Sequence, residues 1–452
     1  MSGTIDGFNR KIRNVTICSL QLLFFLSIAF LAKARQTQTV TSSKELTSAL
    51  STAGPGSRIE IKQGTYSNWG MVVSVSGTKE KPIVISGSEN RKTAFSGDGT
   101  AQSFFTITGD HVYLENLVFE EIKFTRSIVR LVESEGSAIS NCVFRNNQAL
   151  RQWSYMISIA GNGKSNEIRN SHFEKIIDAV LIQVSVSGLR RVNPERSNTL
   201  IKQEKEKQNF DPENPVDLTT DIFPIGTKIH HNLFTDIPRV QWNNGGECIQ
   251  VGQYQNRIGE AMTMTEVFEN KFIRYNGEGE IISNKSSGNS YYNNYFEDCE
   301  GSLVIRGGHD CKIFGNVFRG GAGGFRIYGT GHEVYENTIE GTKRGILLGY
   351  GTGRGKELTF YTAVENCTIR NNRIINSEVS GIYVGYGKGI KWHHVSDGAS
   401  IGKVQNVAPQ SNFIFNNLIV GPPEKAIIIN GAPDNKVRDN TLTRIQKLNN
   451  QQ

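Results

Sequence analysis

Residues Asn270 to Arg326 read NKFIRYNGEGEIISNKSSGNSYYNNYFEDCEGSLVIRGGHDCKIFGNVFRGGAGGFR. A turn motif, Asn-x-Phe, occurs in this stretch at Asn270, Asn294 and Asn316, at intervals of 24 and 22 residues. A repeat of that period marks a solenoid, because one unit cannot bury its apolar face without a stacked neighbour. Between the turns lie EIISN, SYYNNYF, SLVIR, KIFGNVF and GFRIYG, short runs rich in Val, Ile, Tyr and Phe and bounded by Gly, Asn and Ser. They predict strands, three to a coil. The expected fold is all-β: a single-stranded right-handed parallel β-helix. Residues one coil apart then lie on neighbouring strands, about 4.8 Å from each other.

The pattern extends in both directions. A looser form, Asn-x-x-Phe, appears at Asn116, Asn141 and Asn170, and Asn-x-[Phe/Ile/Leu] recurs at Asn232, Asn337, Asn372, Asn417 and Asn440. These asparagines read as structural, since Asn tolerates left-handed turns and bonds its own backbone. Upstream, Ser42 or Ser43 caps an expected helix over Lys44–Ala53, and Gly54-Pro55-Gly56 ends it. Such a helix suits the lid of a first coil, which has no neighbour on one side. Residues 189–225 are charged and hold four prolines, so they read as an excursion from the coil. Tyr350–Thr362 and Lys388–Pro409 are shorter excursions of the kind that can wall a groove.

At the N-terminus, Arg10, Lys11 and Arg13 precede an apolar run Ile17–Ala32 and then Ala32-Lys33-Ala34, the order of a secretory signal. The expected organisation is a signal at 1–34, a cap at 35–57, a β-helix domain at 58–445 and a polar tail at 446–452. The expected location is secreted or periplasmic. Five cysteines remain beyond Cys18; an odd, scattered set predicts buried free thiols rather than a disulfide framework. A net charge of +7, from 50 basic and 43 acidic residues, suits a polyanionic partner. An anionic polysaccharide is expected as that partner, with no nucleic acid, no membrane once the signal is removed, and a monomeric chain.

Counted from the preceding Asn turn, Glu278 lies 8 residues on, Glu280 10, Lys285 15, Arg306 12, Arg326 10 and Asn244 12. Two carboxylates, an amide and three cations therefore share a phase and should gather on one outer wall. Glu278 and Glu280 point the same way in a strand and repel unless a cation sits between them. With Asn244 they supply part of the oxygen set of a Ca²⁺ site. Zinc spacing is missing. Lys285 lies at an odd separation from Glu280, so the chain is expected to bend at Ser283-Asn284. Beside Arg306 its ammonium is disfavoured, which suits a general base. Arg306 stays charged and presents donors to an anion or a leaving oxygen. That set suits β-elimination on a uronate polymer better than hydrolysis, which needs carboxylates flanking the bond.

The segment EGEIISNKS followed by the Arg of LVIRGG resembles the family-6 polysaccharide lyases, the alginate lyases and chondroitinase B. PGSRIEIKQGTY, NNGGECIQVG and GGFRIYGTGHEVYEN extend the likeness over most of the chain. The resemblance implies a Ca²⁺-dependent lyase, with Asn244, Glu278 and Glu280 as metal ligands. It implies Lys285 as base, Arg306 as acid and Arg326 as a substrate contact. His309 and His332 are further candidate contacts, His332 being readable as a turn residue too. Two positions depart from the family pattern: Gly307-Gly308 separate Arg306 from His309, and Gln250 stands where a basic residue is common. Alginate is the expected substrate. Dermatan-type chondroitin and a non-catalytic polysaccharide-binding β-helix are the alternatives.

Overall fold

A computed structural model describes residues 37–99, 103–185, 223–242, 244–253, 259, 261–355, 361–392 and 403–444. The expected signal at 1–34, most of the 189–225 excursion and the tail at 446–452 lie outside the described residues. The chain winds into a parallel β-helix of three sheets. The first sheet runs from Gln38–Val40 to Lys436–Arg438 and the second from Met71–Val73 to Ile427–Ile429. The third runs from Gly64–Ser67 to Thr441–Thr443. Every pairing between named strands is parallel, as in Phe272↔Phe296 and Phe296↔Phe318.

The Phe of each repeat fills the interior. Phe234, Phe272, Phe296 and Phe318 stack ring on ring, with centroids 4.9, 4.5 and 4.1 Å apart. All are wholly or almost wholly buried. Each such pair contributes roughly 0.5–1.5 kcal/mol beyond area burial. Ile339, Ile374 and Ile419 continue the column.

The asparagines do two different jobs, which corrects the single role expected of them. In the early coils Asn116, Asn141 and Asn170 are themselves the left-handed turn residues. From Asn232 onward the residue before the motif takes that conformation: His231, Glu269, Asn293, Gly315 and Glu336. The motif Asn is then free to point inward. Asn270 donates from its backbone and side chain to Oδ1 of Asn294, at 3.1 and 3.0 Å. Asn294 does the same to Asn316, at 3.1 and 3.0 Å, and the ladder continues through Asn337, Asn372 and Asn417 to Asn440. The one-residue shift from Asn-x-x-Phe to Asn-x-Phe is this change of job.

Helix α1, Ser43–Thr52, has Ser42 as N-cap and places Leu46, Ala49 and Leu50 against the first coils. Cys142, Cys248, Cys299, Cys311 and Cys367 are free and buried, as their scatter implies. The described parts of the two later excursions pair with each other through Gly351↔Val407, and Lys391↔Val404 is a bridge within the second one. They bring Tyr361 and Trp392 together, with ring centroids 4.3 Å apart.

Candidate active site

The site stands on the outer face of the second sheet. Its central strand is Glu280–Asn284, followed directly by Lys285. Asn284 pairs with Ile305, so Lys285 and Arg306 follow in register on consecutive coils. Their amides continue the ladder: Lys285 N–H donates to Val251 O at 2.8 Å and Arg306 N–H to Asn284 O at 3.0 Å. Arg326 aligns with Val304 on the next coil.

The parity of the strand is settled by an irregularity between Glu280 and Ile282, not by the bend expected at Ser283-Asn284. The extra residue, Ile281, is buried, and the slip leaves Glu280 and Lys285 on the same face. Asn284 points into the helix instead. Its Nδ2 donates to the carbonyls of Ser286 and Gly307, and its Oδ1 accepts from Tyr291.

Three carboxylates meet here. Glu247, Glu278 and Glu280 each bring an oxygen within 4.8 Å of the others, and all three are buried. Glu278 Oε2 accepts the amides of Gly245 and Gly246 at 2.9 and 3.0 Å. Asn244 lies at the rim, for the same Gly245 N–H also reaches its Oδ1 at 2.9 Å. Glu280 is bracketed by cations: Arg326 pairs with Oε1, Arg306 Nη1 lies 3.9 Å from Oε2, and Ser283 Oγ donates to Oε2 at 2.6 Å. Lys285 Nζ lies 3.4 Å from Glu247 Oε1, and both side chains are almost wholly buried. Gln250 Nε2 donates to the same Oε1 at 3.0 Å, and Gln250 Oε1 accepts from Gln183 Nε2 at 2.7 Å.

These contacts push the carboxyls apart. Burial, then the charges of Glu247 and Glu280, raises Glu278 to about 8. Burial would raise Glu280 as well, but Arg306, Arg326 and Lys285 outweigh it and hold that group at about 2. Lys285 is lowered by burial; Glu247 opposes and Arg306 adds to the lowering. Glu247 Oε2 is buried and finds no hydrogen-bond partner among the described residues. Oxygens packed this closely, one of them unpaired and one whose charge is disfavoured by burial and by its neighbours, fit a hard cation.

Glu247 was not among the expected ligands. Counting from the Asn turn assumes equal loops, and the loop before Glu247 is long. Strand pairing corrects the phase: Gln250 aligns with Ser283, which sets Glu247 beside Glu280. His332 is a correction. It is wholly buried, its Nδ1 accepts from Cys311 N–H at 3.1 Å, and its Nε2 reaches Tyr328 O at 3.0 Å. Both ring nitrogens serve the backbone, so this is a structural histidine and no substrate contact. His309 is partly exposed in the turn after Arg306 and meets Thr330 Oγ1 through Nδ1 at 3.1 Å. Tyr361 is a neighbour the sequence reading passed over; the Arg306 guanidinium lies 5.2 Å from its ring centre.

A parallel β-helix with buried carboxylates set against a lysine and two arginines describes one class of protein, the β-helical polysaccharide lyases. The family model described as Chondroitinase B matches residues 40–451, and the chain belongs to that family. Among solved structures it is similar to a mannuronic acid specific family 6 lyase from human gut microbiota. The TM-score there is 0.70 at 23% identity, over 91% of this chain and 87% of that one. It is also similar to the family 6 alginate lyase AlyGC, with a TM-score of 0.69 at 23% identity over 90% of this chain. The match covers 51% of that enzyme, so the chain spans about half its length. A family 6 alginate lyase in complex with a trisaccharide matches at 0.64 and 18% identity, over 92% of this chain and 86% of the other. Identities this low speak to the fold. No curated protein matches the chain significantly.

Proposed function

We propose that this lyase cleaves a uronate polysaccharide, alginate in the first place, by β-elimination with Ca²⁺ as cofactor. The observation that carries the reading is the convergence on one wall of a three-carboxylate nest with Lys285, Arg306 and Arg326. Glu247, Glu278 and Glu280, with Asn244 at the rim, would hold the cation. Bound there, it would neutralise the uronate carboxylate and so make the C5 proton more acidic.

Lys285 is the base. Burial lowers its pKa, which eases loss of the ammonium proton, and the neutral amine then takes the C5 proton. As the C5–H electrons form the C4=C5 double bond, the C4–O bond breaks. Arg306 acts as the acid, presenting its guanidinium to the departing oxygen. Tyr361 and Glu280 keep it charged against the burial that would lower it. Arg326, tied to Glu280, has a second face for the polymer's carboxylates.

The names of the similar structures favour alginate. The family description favours dermatan-type chondroitin as the second reading. Export on the basic and apolar N-terminal segment belongs to the same proposal, and a secreted product starting near residue 35 would support it. The test is ultraviolet absorbance of the unsaturated uronate end, with polymannuronate, polyguluronate and dermatan sulfate, with and without chelator. The expected result is absorbance on an alginate block, lost with chelator and regained with calcium. No absorbance on any polymer would leave a binding β-helix in its place.

A further inference from the structure

Trp153 stands in the turn between the strands Gln148–Ala149 and Tyr155–Ala160, and two features of it run against local preference. Its φ is +61°, which makes it the only Phe, Tyr or Trp in the left-handed region among the described residues. A bulky ring is strained there; Asn is the commonest occupant of such turns, as at Asn68, Asn116, Asn141, Asn146 and Asn170, and the others carry His, Asp, Glu, Ser or unbranched chains such as Arg91 and Lys175. The residue is also 38% exposed, so burial does not offset the strain. Strain of this kind persists where function keeps it.

Its position says what the function is. A Cβ placed on Gly245 would lie 3.6 and 3.8 Å from Cε3 and Cδ2 of the indole. The ring therefore lies against the residue whose amide holds Glu278. The preceding Gln152 ties the two segments together, donating from Nε2 to Asn244 O at 2.9 Å. The indole thus borders the carboxylate nest on the side away from Arg306 and Arg326, which come from later coils.

We propose that Trp153 is a sugar platform, taking the apolar C–H face of the uronate ring next to the one held at the nest. A pyranose in such a polymer is polar at its edges and apolar on its faces, and a half-exposed indole is complementary to that face. The inference rests on the lyase reading above and adds a binding determinant to it.

The test is Trp153→Asn, which relieves the turn and removes the ring. Steady-state kinetics on polymannuronate and polyguluronate should show KM raised roughly two- to tenfold, the scale of one aromatic contact, with kcat changed far less. The thermal midpoint should hold or rise, and Trp153→Tyr should recover most of the KM. An unchanged KM in an active, folded Trp153→Asn protein overturns the inference while leaving the lyase reading intact. So does a lowered midpoint with kcat and calcium affinity falling together, since that is a loop prop. Wild-type protein without turnover on any uronate polymer overturns the lyase reading itself, and this inference with it.

Discussion

Replacing Lys285 by methionine separates its chemical from its structural contribution. The ammonium lies 3.4 Å from Glu247 Oε1, and the two side chains are 1% and 0% exposed. At an effective dielectric of about 20 such a pair attracts by about 5 kcal/mol. Removing one partner of a buried pair costs about 3–5 kcal/mol, because the other charge stays behind unpaired. Glu247 keeps its bond from Gln250 at 3.0 Å, so the low end, about 3 kcal/mol, is expected. That loss should appear as a lower urea midpoint in metal-free buffer. Added calcium should restore much of it, since a cation among Glu247, Glu278 and Glu280 balances the freed charge. Calcium should bind the variant at least as tightly as wild type, the repelling ammonium being gone. Turnover should stay lost by roughly 10²–10⁴-fold, the usual contribution of a general base. The assays are a urea titration with and without calcium, calorimetric calcium binding and product absorbance on alginate. A variant that turns over at the wild-type rate sinks the base assignment. One with an unchanged midpoint in metal-free buffer sinks the buried pair.

Two further outcomes test the frame that carries the site. Asn294→Ala breaks the ladder in its middle. It removes the acceptor of Asn270 N–H and the donor to Val267 O, both buried, and should cost about 2–4 kcal/mol by urea unfolding; a change within experimental error would refute the ladder's role. His332 is held at about 3 by burial, first of all, and by His309. Its folded value lies below the unfolded one of about 6.5, so the unfolded chain binds the proton first. The contribution of His332 should therefore be full above pH 6.5 and fall by up to about 1.4 kcal/mol per pH unit between there and pH 3. His332→Gln should flatten that slope, and an equal slope in the variant would refute the assignment.

The repeat was readable because it is local. Each Asn-x-Phe unit states its own turn and its own inward ring, and stacking such units leaves one architecture open to the chain. The free thiols, the cap helix and the pairing of Lys285 with Arg306 follow from the same short-range rules. The ladder of asparagines was visible as a pattern, yet its purpose was not. Whether Asn takes the left-handed turn or points inward depends on one residue of register, which only the neighbouring coils enforce.

The amino-acid order alone therefore determined the β-helix and most of the charged groups brought to one wall. Tertiary structure decided which of them touch. Glu247 joins the nest because a long loop shifts its coil against the next, a displacement no count along the chain contains. Glu280 and Lys285 share a face because one residue, Ile281, is absorbed as a slip in the ladder. His332 leaves the site because its neighbours on two coils claim both ring nitrogens. In each case a contact between neighbouring coils takes part, and loop length and register, fixed by packing between coils, set where those residues meet.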